Sequence, residues 1–127
     1  MAIISLLILL ISIPFSAYGS LPTTIIQSCY DGDTCTTTDG EKIRLACIDT
    51  PELKGKKADP IAAKEARDFL NNLVSNNKVS IRRITTDRYG RTVAELFKNN
   101  VNLQDLIVRK GYGKIYKRYA FQCNWTL

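Results

Sequence analysis

Six carboxylates crowd the stretch "CYDGDTCTTTDGEKIRLACIDTPE", residues 29–52: Asp31, Asp33, Asp39, Glu41, Asp49 and Glu52. The chain carries 12 Asp and Glu against 18 Lys and Arg, so half the acid of a basic protein sits in one segment. Clustered carboxylates bind hard cations or hold and move protons. A helix–loop–helix calcium loop starting at Asp31 would need Gly at its sixth position and Glu at its twelfth. Thr36 and Lys42 stand there, which excludes that motif. A metal held by Asp33 and Asp49 would instead be assembled from two separate segments. Backbone carbonyls and water would complete a hard oxygen site suited to Ca²⁺ or Mg²⁺. Taken singly, Asp33 also fits a turn, and Asp49 a turn or cap before Thr50-Pro51.

Two arginines accompany the acids. Arg44 precedes "LACIDTPE", and Arg91 follows the "DRYG" turn. A guanidinium forks onto phosphate oxygens and stays charged at any working pH, although each Arg alone also reads as a surface residue. The chain has no histidine. That excludes Ser-His-Asp triads, Cys-His pairs, histidine-bearing zinc sites and histidine bases, leaving carboxylates, Arg, Lys, Tyr, Cys or a metal.

The cysteines are Cys29, Cys35, Cys47 and Cys123. An even count in a small exported domain reads as two disulfides. Zinc competes poorly, because no C-x2-C pair and no histidine is present. Of the three possible connectivities, the favoured one pairs Cys29–Cys35, clasping a tight turn, and Cys47–Cys123, tying the C-terminal tail back.

The elements that must position these groups follow from pattern. "PTTIIQSCY", "CTTT" and "EKIRLACI" read as three strands joined at "DGDT" and at Asp39-Gly40, where Asp-Gly supplies the positive φ of hairpins. Asp59 caps and Pro60 opens a helix whose Ala62, Ala66, Phe69, Leu70 and Leu73 share one face. "KVSIRRITT" and "TVAELF" are a fourth and a fifth strand around "DRYGR". Asn102 caps a short helix closed by Gly111. Five strands with a helix inserted after the third suit a small Greek-key barrel of the oligonucleotide-binding (OB) type; a generic α+β sheet fits the same pattern.

The 127 residues make one domain by length, with a net charge of +6 and a pI near 9.3. Such a balance favours a phosphate-rich partner, or simply a soluble cationic surface. Residues 1–19 contain the apolar run "IISLLILLISIPF" and no charged side chain, as in a secretory signal peptide. The run is short for a membrane anchor, its competitor. The domain is then 20–127, in a secreted or periplasmic protein without stable membrane association after cleavage.

"DGDT", "RLxxIDTPE" and "TDRYGR", in this order from about Pro22 to about Tyr119, resemble the staphylococcal nuclease family and its secreted bacterial members. The resemblance implies a five-stranded OB-fold barrel with two helices. Members usually continue into a long third helix, and here the chain stops at Leu127, where it would begin. It further implies a Ca²⁺ held by Asp33, Asp49 and the Thr50 carbonyl, with Asp31 as an outer group. Glu52 would orient or deprotonate the attacking water, Arg44 and Arg91 would grip the scissile phosphate, and Tyr89 would contact a second phosphate. Arg88, with Lys54, Lys56 and Lys57 of a basic loop that also reads as merely solvated, would bind the substrate backbone. Family members often carry an aromatic where Lys117 stands, which leaves base stacking by Tyr112, Tyr116 or Tyr119 unassigned. "NWT" at 124–126 fits a glycosylation acceptor.

The expected function is a monomeric, calcium-dependent endonuclease cutting DNA and RNA, preferably single-stranded or unpaired, to 3′-phosphate ends. The alternatives are a non-catalytic nucleic-acid-binding barrel, to which this full set of site residues would be superfluous, and a cationic protein acting without metal.

Overall fold

The computed structural model describes residues 20–127; the expected signal peptide, residues 1–19, lies outside them. The chain runs β1 (Thr23–Asp31), β2 (Thr34–Thr37), β3 (Lys42–Leu45), β4 (Ile48–Asp49), α1 (Pro60–Val74), β5 (Lys78–Thr86), β6 (Thr92–Lys98), β7 (Val101–Asn102), α2 (Leu103–Arg109) and β8 (Lys114–Ile115). Two 3₁₀ segments, Lys117–Gln122 and Asn124–Thr126, finish it.

Strands β3, β2, β1, β5 and β6 pair in that order, all antiparallel, and a parallel β3–β6 ladder closes the ring. This is the expected five-stranded barrel with two helices. Closure removes the exposed edges that a small open sheet would present. Ile26, Ile43, Leu45, Ile81 and Leu96 fill the interior, with Leu70 and Val74 of α1 and Leu103 and Ile107 of α2 packed against them.

Local chemistry explains the helices. Asp59 accepts the Ala62 N–H at 3.2 Å, and Pro60 takes the first position, where its missing N–H costs nothing. The buried face of α1 is Ala63, Ala66, Leu70 and Val74; Ala63, rather than the expected Ala62, heads it. Asn102 accepts the Asp105 N–H and caps α2 as expected. Inside α2, buried Gln104 pairs with both backbone groups of Leu96, so its amide serves β6 as a strand partner would.

Two expectations need correction. The third strand is not continuous over 41–48: it breaks at Ala46-Cys47, where Cys47 adopts φ 68°. The break persists because its groups are taken elsewhere. The Ala46 N–H bonds Ala94 O, the Cys47 carbonyl accepts the Tyr116 N–H, and β4 leaves the barrel to pair with β8. At "DGDT" no positive φ occurs. Gly32 is required for close approach instead: a Cβ there would lie 2.8 Å from Ala66 Cβ and 2.9 Å from Thr50 Cβ.

Both disulfides pair as expected, Cys29–Cys35 and Cys47–Cys123. The second fastens the tail, which Trp125 also anchors by donating to Glu95 at 3.0 Å while Arg82 pairs with the other Glu95 oxygen at 2.8 Å. Its cysteines are separated by 76 residues, those of the first by 6. On loop entropy, removing Cys47–Cys123 is expected to destabilise the protein by about 4 kcal/mol, and removing Cys29–Cys35 by about 2 kcal/mol. Denaturant titration of the two double-alanine variants measures the difference; equal losses would refute it.

Candidate active site

A cleft of about 880 Å³ opens at one rim of the barrel. Four segments line it: the β1–β2 turn, β3 to the loop after β4, the β5–β6 turn, and the tail from Tyr116 to Gln122. Asp31, Asp33, Arg44, Asp49, Thr50, Glu52, Lys54, Arg88, Tyr89 and Arg91 all lie in this lining. Lys56 and Lys57 sit exposed on the same loop as Lys54 but outside the lining.

Asp33 is the most constrained of these groups. Its side chain is buried; Oδ2 accepts the Thr50 N–H at 3.1 Å and lies 3.3 Å from Arg44 Nη1. Asp31 Oδ1 accepts the Asp33 N–H at 3.0 Å, which sets a second acid beside the first. Burial pushes the Asp33 carboxyl up to about 6; the Arg44 guanidinium opposes this and the Asp31 carboxylate adds to it.

Arg44 is aimed by the strand break. Its Nη1 donates to Leu45 O at 2.7 Å and its Nη2 to Ile48 O at 2.9 Å, the two carbonyls either side of Ala46-Cys47. Asp49 stands on β4 opposite Lys114 of β8, half-buried, and its carboxylate has no hydrogen-bond or ion-pair partner among the described residues. Thr50 is held between two glycines: a Cβ on Gly32 would meet its Oγ1 at 2.9 Å, and one on Gly113 its Cγ2 at 2.9 Å. Its buried Oγ1 has no hydrogen-bond partner among the described residues. Glu52 is exposed, its backbone fixed by the Asp59 N–H to Glu52 O bond at 3.0 Å, with its carboxylate unpaired among the described residues.

The β5–β6 turn is built around Asp87, which the sequence reading passed over. Its Oδ1 accepts the N–H groups of Tyr89 and Arg91, each at 2.9 Å, and its Oδ2 accepts Arg91 Nε at 2.7 Å. Burial alone would raise this carboxyl, but the backbone and guanidinium donors outweigh it and hold Asp87 below the usual carboxylate range. Arg91 and Arg88 both stack on the Tyr89 ring, 5.4 and 4.9 Å from its centroid. An Asp four residues before an Arg, around Tyr-Gly, was the available signal.

Not all six acids join the site. Asp39 is exposed at the β2–β3 turn, and Glu41 forks onto Arg83 at 2.7 and 2.9 Å while accepting from Thr92. Those Arg83 hydrogen bonds hold the Glu41 carboxyl low and lock the barrel seam.

The donors fit a hard divalent cation. They are carboxylate, carbonyl and hydroxyl oxygens, with two adjacent acids and one orphaned buried hydroxyl among them. No group of three or more His, Cys, Asp or Glu converges among the described residues, so water and backbone carbonyls would supply much of the coordination.

A family model described as "Staphylococcal nuclease homologue" matches residues 42–124, which take in Arg44, Asp49, Glu52 and Arg91 and begin after Asp33. Relatives include an uncharacterized protein of Bacillus anthracis, 36% identical over 104 residues, 76% of this chain and 48% of that protein. An uncharacterized endonuclease of Haemophilus influenzae is 38% identical over 96 residues, 71% of this chain and 50% of that one. A staphylococcal-like nuclease of Arabidopsis thaliana is 35% identical over 78 residues, 61% and 23% of the respective chains. The chain spans half or less of the length of these relatives.

Proposed function

The chain belongs to the staphylococcal nuclease family, and from that premise we propose that it is a secreted, calcium-dependent endonuclease hydrolysing DNA and RNA. The observation that carries this reading is the shared cleft, in which Asp33, Asp49, Glu52, Arg44 and Arg91 meet from three segments of chain.

Asp33, Asp49 and the Thr50 carbonyl would hold the ion, with Asp31 as an outer group; when bound, Ca²⁺ supplies positive charge to the phosphoryl oxygens. Glu52, exposed and unpaired among the described residues, orients a water and accepts its proton as the water attacks phosphorus. Arg44 and Arg91 donate to the non-bridging oxygens as their charge grows; both guanidiniums are pre-aimed, by carbonyls and by Asp87 respectively. Release of the 5′-oxygen leaves a 3′-phosphate end. Lys54, Arg88 and Tyr89 hold the flanking backbone. The preferred substrate is single-stranded or unpaired nucleic acid.

The two disulfides support an oxidising destination, so we place the working protein outside the cytoplasm, as a monomer. No helix of the described residues is long and apolar enough to cross a membrane.

Incubating the refolded domain with single-stranded DNA, in calcium or in chelator, tests the reading. Calcium-dependent fragmentation supports it. Gel retardation without cleavage would point to a binding barrel instead.

Asp33 also sets a pH dependence. Its carboxyl is raised to about 6, above the ordinary value near 4, so the metal-free native state binds the proton more tightly than the unfolded chain. Its contribution to stability is therefore full below about pH 4 and is lost as pH rises toward 6. A cation must displace that proton, so the calcium dissociation constant is expected to rise about tenfold per pH unit below 6 and to level off above. Calorimetric titration between pH 5 and 8 measures this; a flat profile would refute it.

A further inference from the structure

We propose that Tyr30 is a stacking platform for a nucleobase of the bound strand, a substrate contact at the Asp31 end of the cleft. The inference rests on the nuclease reading above.

Tyr30 is the extra residue of a β-bulge. In the β1–β2 ladder Cys29 pairs with Cys35 and Asp31 with Thr34, so two steps on β1 match one on β2. Bulges bend a strand and re-aim side chains, often beside active sites. Here the bulged side chain lines the cleft next to Asp31 and Asp33.

Its mounting is rigid. Cys29 is joined to Cys35, and the Asn71 amide clamps the Cys29 backbone from α1, accepting its N–H at 2.8 Å and donating to its carbonyl at 3.0 Å. On the other side, Asp31 is fixed by the Asp33 N–H. A tyrosine so held has two side-chain torsions left to restrict, so contact through it costs little entropy.

The ring itself is free. It is 58% exposed, and among the described residues it has neither an aromatic nor a cationic partner. The other cleft tyrosines are engaged: Tyr89 by Arg88 and Arg91, and Tyr119 by Tyr116 and Arg118. With no cationic side chain over the ring among the described residues, nothing there pairs with a phosphate. A neutral π-face is the complementary ligand, and every base offers one, which makes the contact sequence-tolerant.

Steady-state cleavage of a short fluorescent single-stranded DNA in calcium tests this. Tyr30→Ala is expected to raise KM by about five- to a hundredfold with kcat essentially unchanged, and Tyr30→Phe to restore KM. Replacing successive nucleotides by abasic ones should reveal one position at which wild type and Tyr30→Ala become indistinguishable. A KM unchanged in Tyr30→Ala, or no such position, would overturn the proposal. Absence of cleavage by wild type would instead defeat the nuclease reading. Equilibrium binding of the same oligonucleotide then decides for Tyr30: weakening in Tyr30→Ala but not in Tyr30→Phe upholds it, and equal binding overturns it.

Discussion

Glu52→Gln is expected to lower calcium-dependent cleavage of single-stranded DNA by about 10²- to 10⁴-fold, the range for loss of a positioned general base. The fall should appear in kcat, with KM little changed, because the substitution removes proton acceptance and keeps the shape of the cleft. Thermal stability should not move. The Glu52 side chain is exposed and makes no hydrogen bond or ion pair among the described residues, and the backbone bond from Asp59 survives the change. A variant as active as wild type would remove Glu52 from the chemistry, and a large loss of stability would make the kinetic loss uninterpretable.

Arg91→Ala should reduce kcat by about 10²- to 10³-fold, the typical result of deleting one donor that stabilises transition-state charge. Arg91 is a cleaner test than Arg44. Arg44 faces the buried Asp33 carboxylate and bonds two backbone carbonyls, so its loss would also disturb the fold. Removing the Arg91 side chain leaves Asp87 with its two backbone N–H donors, which preserves the turn. Arg91→Lys should recover little, since an ammonium cannot reproduce the fork while bonded to Asp87. Asp87→Asn, acting only through Arg91 orientation, should fall between wild type and Arg91→Ala. Single-turnover cleavage rates of the three variants decide; near-wild-type rates for Arg91→Ala would contradict the assigned role.

What could be read from the residues was local. Asp59-Pro60 and Asn102 cap helices with their own side chains, so a few neighbouring letters suffice to locate them. Of the three possible cysteine pairings, the turn that Cys29 and Cys35 bracket favoured the one observed. The long-range features were illegible for a physical reason. Cys47 reaches positive φ because Ala94, Tyr116 and Cys123 hold its surroundings, partners 47 to 76 residues away in sequence for the first and last of them. Gly32 matters through Ala66 and Thr50, not through its own torsion. Glu41, one of the six acids clustered in sequence, pairs with Arg83 of β5 and Thr92 of β6, beside the β3–β6 ladder that closes the barrel. Tyr30 reveals its part only in geometry, through a register shift, and the three donors converging on Asp87 give weight to a sequence signal that is weak alone.

The central claim is that one cation and two guanidiniums share a phosphodiester in this cleft. A crystal structure of the protein with calcium and a phosphorothioate dinucleotide tests it most directly. The ion is expected between Asp33 and Asp49, with Arg44 and Arg91 both on the same phosphorothioate group. An ion bound elsewhere, or a phosphate reached by neither arginine, would contradict it.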